Sequence, residues 1–350
     1  MRISQWLIET ARVLRKDERK LNRRKLRSRR IRSRDAIEQL EDRALLASFS
    51  PTTPAALIAD INTANANGED DVIDLGDGVF TLNAANWAND TTDGRNGLPA
   101  ILSDTNHTLT IRNGDIERDG AASGFRFFHV ADGAELNLDD IRLTNGLADQ
   151  SGFGRAGGAA FVSFGGTMNV TGSALSDNTA NGPGGGLGGA LCNYGSLTLT
   201  NSKVSGNTSN YIAGGIYSRG TVFEVTDSTI TDNTAVSNVA GGINNAGPMT
   251  ISNSTISGNT SGNSGGGIRI LFGTVTIANS TISGNSSRSR GGGIYNRGDL
   301  TVSNSTISGN TSSRAGGGIG NDRDLMIQNS LVAGNYRYDT SPGDIEGSTF

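Results

Sequence analysis

The sequence predicts an all-β fold: a right-handed, single-stranded parallel β-helix, a solenoid with three short strands per coil of about 25 residues. Three observations predict it. A phrase recurs along the chain: Gly-Gly-Ile, a turn, Leu-Thr-Val/Ile, then Asn-Ser-Thr-Ile-Ser-Gly-Asn, with its cleanest copy at 292–310. The apolar residue near the end of each copy falls at Val204, Ile230, Ile256, Ile282, Ile307 and Val332, giving spacings of 26, 26, 26, 25 and 25. A fixed period in the range of roughly 20–50 residues marks a repeat architecture. Within one copy, Leu300 and Val302 alternate with Thr301 and Ser303, Ile307 lies between Thr306 and Ser308, and Ile294 opens a further run. Alternation of period two places the apolar residues on one strand face. No helix-length apolar pattern intervenes to make strand–helix–strand units.

In chain order, residues 1–34 come first, with 14 Lys/Arg against 3 Asp/Glu, a net +11; the remainder carries 16 against 31, a net −15. This is a basic tail on an acidic body. Isolated apolar residues from Trp6 to Ile31 give the tail a helical tendency, and the segment 1–47 is read as a disordered or helical export leader. It lacks the apolar core of an ordinary secretory signal and any membrane-spanning run. A nucleic-acid-binding arm would need interleaved aromatics and a folded reader, so no nucleic-acid partner is expected. Leu40-Glu41-Asp42-Arg43-Ala44-Leu45-Leu46-Ala47, with the Arg-rich leader before it, resembles the N-terminal motif of many exported planctomycete-type surface proteins. The resemblance implies export, with processing after Ala47 and a mature chain from about Ser48.

Residues 48–70 read as a capping helix. Thr53 followed by Pro54 is an N-cap with proline in the first turn; Leu57, Ile58, Ile61 and Ala64 share one face, and Gly68 after Asn67 is the expected stop. The β-helix is expected over 71–350, irregular in 71–200 and regular in 201–340. Its first strands are Val72–Leu75, Val79–Leu82, Leu109–Ile111 and Phe125–Val130, with the polar stretch 83–106 as a surface excursion and 134–146 as a diverged copy of the repeat.

In the regular coils two isoleucine stacks are expected: Ile230, Ile256, Ile282 and Ile307, and Ile216, Ile243, Ile268, Ile294 and Ile319. Full burial of each is worth about 1.5–3 kcal/mol. Two asparagine rows are expected to form amide ladders, one of Asn253, Asn279, Asn304 and Asn329, the other of Asn233, Asn259, Asn285, Asn310 and Asn335. Paired glycines before each isoleucine permit a corner that a side chain would obstruct or strain. Several asparagines match the glycosylation pattern, which the ladder accounts for without modification.

The Gly-Gly-Ile and Ile-x-x-Asn phrases over residues 157–335 resemble the repeats of chlamydial-type polymorphic outer-membrane proteins, with Ile, Val or Leu where that family favours Phe. The chain ends at Phe350 without room for their membrane barrel, so direct insertion is not expected. More broadly it resembles pectin-lyase-like β-helix proteins of bacterial surfaces.

That resemblance implies an alternative activity, a polysaccharide lyase or glycoside hydrolase acting on acidic polysaccharide with its site in the early loops 83–106 or 144–160. Such enzymes need clustered carboxylates with a basic proton abstractor, or two opposed carboxylates. Here the acids are scattered: Asp227 with Asp232, Asp322 with Asp324, and the pair Asp139–Asp140. Asp227 occupies the register of Asn253. His107 and His129 stand in unlike contexts, Cys192 has no His or Asp beside it, and the glycine runs lack the residues of a phosphate loop or a calcium repeat. No catalytic, metal or cofactor residues are therefore assigned. Arg288, Arg290 and Arg314 fall in equivalent loops of adjacent coils and form a candidate polyanion-binding patch. The expected function is an exported, non-enzymatic structural or adhesion β-helix at the cell surface or outside the cell, including at an outer membrane. Its expected partners are cell-surface glycans or the cell envelope. The sequence leaves the oligomeric state open, although an open last coil would expose strand edges that favour self-association.

Overall fold

In a computed structural model the described residues are 47–86, 94–104, 107–338 and 341–347. The chain divides after Leu45, and the described residues all belong to the second unit, residues 46–350. The basic leader and the motif up to Leu46 lie outside the described residues. The second unit is a parallel β-solenoid with three sheets of 18, nine and eight strands.

The cleanest copy of the repeat shows how one coil is laid out. Ile294–Asn296 belongs to the nine-stranded sheet, Asp299–Ser303 and Thr306–Ser308 to the long sheet, and Thr311–Ser312 to the eight-stranded sheet. Three sheets were expected, but the Leu300 and Ile307 runs share one of them. The third sheet is formed by a two-residue strand with no apolar residue, so hydrophobic alternation passes it over. Its inward member is a serine, Ser312, which is buried.

Both isoleucine stacks are present. Ile230, Ile256, Ile282 and Ile307 pair in register, as do Ile216, Ile243, Ile268, Ile294 and Ile319; all are fully buried. The first stack continues upward through Val204, Leu175 and Leu143. The longer early spacings are therefore absorbed in loops, while the strands keep their register. At the other end the inward residues Leu325, Ile327, Val332 and Ile345 are only partly buried.

The two asparagine rows do different work. Asn233, Asn259, Asn285, Asn310 and Asn335 are buried, and each side-chain amide bonds to the next, the 285–310 bond being 2.9 Å. Asn207 and Asn178 extend this ladder into the irregular coils. By contrast, Asn253, Asn279, Asn304 and Asn329 are exposed, with φ of 47–51°. They form a left-handed corner, not a ladder. Asn and Asp enter this conformation at least cost among residues with side chains, which explains why Asp227 (φ 51°) takes the same place. Beside them runs a ladder the sequence did not announce. The buried Ser254 hydroxyl donates to the Ser252 carbonyl at 2.7 Å and accepts the Ser228 N–H at 3.1 Å, and Ser202, Ser228, Ser280 and Ser305 repeat the pattern. The Asn-Ser-Thr phrase is thus a corner followed by a buried hydroxyl. Replacing Asn279 with valine is expected to cost about 1–2 kcal/mol, and with glycine less than about 1 kcal/mol. Equal denaturation midpoints for the two variants would refute the conformational explanation.

The upper end is closed by helix α1, Pro54–Ala64, with the Thr53 hydroxyl accepting the Ala56 N–H at 3.2 Å. Leu57, Ile61 and Ala64 enter the solenoid core. The helix ends earlier than Gly68. Its C-cap is Asn65, whose side chain donates to the Ala100 carbonyl (2.8 Å) and accepts the Leu102 N–H (2.9 Å). Ala47–Phe49 forms a strand paired with Asp71–Ile73, so the solenoid begins before the helix. The two strands expected over 72–82 are one, Asp71–Leu82, with a register shift between Asp74 and Gly78. The stretch 83–106 is also more than a surface excursion. Its residues 87–93 and 105–106 lie outside the described residues, but Leu98, Ala100 and Ile101 are buried, and Ile101 pairs in parallel with Val130. They act as a degenerate coil, short enough to escape the repeat pattern. Among the described residues no helix is long and apolar enough to cross a membrane.

Candidate functional site

Side chains alternate between the two faces of a strand, so each inward isoleucine of the nine-stranded sheet is followed by an outward residue. Reading the register down that sheet gives the outward row His129, Phe161, Cys192, Tyr217, Asn244, Arg269, Tyr295, Gly320 and Glu346. On the long sheet the corresponding outward positions are mostly hydroxyls, for example Thr250, Thr276 and Thr301, and Thr229, Thr255, Thr281 and Thr306. Among the described residues, the nine-stranded sheet is the one that collects aromatic rings and guanidinium groups in one line.

The upper part of this row is a second, external apolar cluster of Ala156, Phe161, Cys192, Tyr194, Ala213 and Tyr217. Two rings from irregular segments lie against it. Phe153, from the 3-10 turn Gly152–Arg155, stacks on Phe161 with centroids 5.1 Å apart; Phe164 tilts against Tyr194 at 5.0 Å. Phe161, Tyr194 and Tyr217 are buried, whereas Phe153 is 40% and Phe164 65% exposed. Those two are the rings a ligand can reach. Beneath them the buried Arg126 lies 5.1 Å over the Phe161 ring and donates to the Ala156 carbonyl at 2.9 Å. Burial pushes the Cys192 thiol well above its ordinary value, so it is a packing residue without thiolate character.

The lower part is polar. Burial raises the Tyr217 phenol. Arg269 donates from Nη1 to Asn244 Oδ1 at 3.0 Å, while its Nε is buried and has no hydrogen-bond partner. Burial and the neighbouring Arg297 both lower the Arg269 pKa, because each disfavours the cation. Below it, the Tyr295 hydroxyl donates to Asp322 Oδ2 at 2.6 Å, and Arg290 Nη1 donates to Asp322 Oδ1 at 3.1 Å. Burial and then the Asp322 carboxylate raise the Tyr295 phenol. A surface concavity of about 430 Å³ opens here, lined by Arg290, Ala315, Asn321, Asp322, Glu346 and Gly347.

Of the arginines expected to cluster, Arg288, Arg290 and Arg314 are all exposed on neighbouring loops. Arg290 pairs with Ala315 in backbone register and is engaged by Asp322. The Arg314 N–H donates to the Ser289 carbonyl and that of Arg288 to Ser261, so neither continues the other's row. The structure thus brings Arg290 to the lower end of the aromatic face and leaves the other two on the loop rim. His107 Nδ1 contacts the Asp104 carbonyl and His129 Nε2 contacts Ser163 Oγ, in separate surroundings. Among the described residues no group of three or more His, Cys, Asp or Glu is placed to hold a metal ion. Asp140, Asp227 and Asp232 occupy left-handed corners, with φ of 51–57°. The residues that sequence reasoning missed are Phe153, Phe161, Tyr217, Arg269 and Tyr295. Three of them directly follow a stacking isoleucine, in Ile216-Tyr217, Ile268-Arg269 and Ile294-Tyr295, and period-two alternation applied to these positions would have pointed them outward.

The fold and this face define a parallel β-solenoid with one aromatic and cationic outer surface. No protein-family model matches the chain, and no curated protein matches it. Among solved structures it is similar to two A-modules of mannuronan C-5 epimerases from Azotobacter vinelandii. For the AlgE6 module the identity is 15%, with 89% of this chain and 98% of that one covered and a TM-score of 0.38. For the AlgE4 module the values are 15%, 85%, 98% and 0.34. Likeness at this level bears on neither the activity nor the site.

Proposed function

We propose that this chain is an exported surface or extracellular β-helix that holds an extended glycan along the outer face of its nine-stranded sheet, as a binding and adhesion module without catalysis. The observation that carries the reading is the pair of exposed rings, Phe153 and Phe164, on the same outer face as the partly exposed Arg269 and Tyr295, with Phe161, Cys192, Tyr217 and Asn244 of the outward row buried beneath that surface. Sugar rings pack on aromatic faces through their apolar C–H surfaces, while amide, phenol and guanidinium groups satisfy their hydroxyls. The leader motif's resemblance to planctomycete-type export signals and the repeat's resemblance to polymorphic outer-membrane proteins support export and a surface role.

A lyase or hydrolase on this face would need an activated base. The phenols of Tyr217 and Tyr295 are shifted the wrong way, upward, so they stay protonated at neutral pH. Asp322 is already held by Tyr295 and Arg290. These features favour binding over turnover.

The test is retention on arrays of neutral and acidic polysaccharides, with absorbance of unsaturated uronate monitored in parallel. The double variant Phe153→Ala/Phe164→Ala is expected to weaken glycan binding by about tenfold or more. The triple variant Arg288→Ser/Arg290→Ser/Arg314→Ser should stay within about threefold of the parent, since exposed loop charges contribute little. Absence of retention on any glycan would refute the reading, and accumulation of unsaturated product would replace it with a lyase.

A further inference from the structure

We infer that the lower end of the solenoid is an interface for a second copy of this chain, the two joined edge to edge about a two-fold axis. The inference goes beyond the glycan reading and does not depend on it.

The outward rows change character in the lowest described coil. One row of the long sheet runs Thr250, Thr276, Thr301 and then Met326. The next runs Thr255, Thr281, Thr306 and then Leu331. On the eight-stranded sheet Thr260, Ser286 and Thr311 give way to Tyr336. Three hydroxyl rows thus turn apolar in the same coil, and each of the three new side chains is about half exposed. The inward residues of that coil, Leu325, Ile327 and Val332, are only partly buried as well. Apolar surface gathered on both faces of one pair of strands marks a place where another chain docks.

The backbone identifies the occupant as a strand. Among the described residues Leu325–Gln328 pairs only with Asp299–Ser303, and Leu331–Ala333 only with Thr306–Ser308. The serine ladder stops here too: the Ser305 N–H donates to Ser330 Oγ at 3.1 Å, and among the described residues no further hydroxyl lies below for the Ser330 N–H. An open row of N–H and C=O groups takes another strand. Charges and proline are the usual protection of such an edge, and residues 325–335 contain neither. The eight-stranded sheet, by contrast, is closed by the chain itself. Asp344 Oδ1 stands where the next ladder asparagine would be, and Tyr336 bridges to Pro342. The upper end does not supply the missing strand, because helix α1 closes it, so head-to-tail stacking is blocked. Two lower ends meeting about a two-fold axis satisfy both copies at once, with their edge strands antiparallel. The charges agree with this geometry. Asp324 stands just before the uncharged edge and Arg337 just after it. Half a turn sets the Arg337 end of each copy against the Asp324 end of the other.

Sedimentation velocity of the full chain over a concentration series measures the association. A dimer forming below about 100 µM is expected, and a parent that is still monomeric at that concentration overturns the inference. The double variant Met326→Lys/Leu331→Lys puts like charges on the edge and should weaken association by about a hundredfold or more. The same two rows already hold Glu224 and Lys203 higher in the solenoid, so a coil accepts charge there without losing its fold. A dimer that survives both lysines overturns the assignment. Orientation is read by cross-linking. Gln328→Cys, near the axis, should form an intermolecular disulfide on air oxidation, the native Cys192 being buried; Thr52→Cys, at the upper end, should not. The reverse result overturns the inference, as does growth into assemblies longer than a pair. Where the lysine variant fails to fold, the cross-linking comparison decides by itself.

Discussion

Replacing Asn285 with leucine is expected to destabilise the solenoid by about 4 kcal/mol or more, a larger effect than deleting any one methyl from the isoleucine stacks. The side chain is fully buried. Its amide donates to Asn310 Oδ1 and to the Ile256 carbonyl, both at 2.9 Å. Its oxygen accepts the Asn259 backbone N–H at 3.0 Å and the Asn259 amide at 2.9 Å. One residue thus satisfies groups in the coil before and in the coil after. Leucine has nearly the same volume, so the cavity term is small, but four buried hydrogen bonds are lost: Asn310 Oδ1 keeps the Asn285 backbone N–H and the Asn259 amide keeps the Ile230 carbonyl, whereas the Asn259 backbone N–H and the Ile256 carbonyl lose the bond Asn285 gave them. Each of those two costs roughly 1–3 kcal/mol when left unsatisfied, the other two lost bonds add to that, and the rigid ladder leaves little room to relax. The ladder also ends on a polar group: the Asn335 amide donates to Asp344 Oδ1 at 3.0 Å. Chemical denaturation of the parent and the variant measures the effect. A loss below about 1 kcal/mol would mean that the amides only decorate the turn.

This ladder was legible in the sequence because one residue type recurs at the coil period. So were the isoleucine stacks, whose period-two neighbours are small hydroxyls. The serine ladder was equally periodic, yet it escaped notice, because serine is common on the surface and its burial depends on a corner that only the backbone shows. The first asparagine row was seen but given the wrong cause. Periodicity reveals that Asn253, Asn279 and Asn304 are alike; it does not distinguish an amide chosen for hydrogen bonding from one chosen for a positive φ. The candidate site was hidden for another reason. Its row changes identity from coil to coil, from Phe161 to Tyr217 to Arg269 to Tyr295, so no repeat marks it. Phe153 comes from an irregular loop whose path follows from no local rule. The regular residues build the scaffold, and the residues that break the pattern on one outer face form the candidate site.

The second large effect is expected at Gly266, where alanine should destabilise the fold by more than about 3 kcal/mol. Its φ is not in the left-handed region, so conformational freedom is not the reason for glycine there. The obstacle is the neighbouring backbone. A Cβ at Gly266 would collide with the Gly292 carbonyl oxygen of the next coil and lie 2.6 Å from both the nitrogen and the oxygen of Ser286. None of these atoms can swing aside as a side chain does. Relief requires the coils to part, which would break the ladder bonds from Gly266 to Gly291 (3.0 Å) and from Gly267 to Gly292 (3.1 Å). Overpacking in a rigid core typically costs about 1–3 kcal/mol, and broken ladder bonds add to that. Gly284 provides the contrast. Its φ is +64°, but the nearest atom to an added Cβ is 3.9 Å away. Asp177 and Asp232 occupy the matching corner with φ of 57°. Gly284→Asp should therefore stay within about 1 kcal/mol of the parent. If the two variants melt alike, contact between coils is not what selects glycine in the Gly-Gly-Ile phrase. If they diverge as expected, the glycine content of this chain separates into two kinds, one serving the turn of a single coil and the other setting how closely successive coils stack.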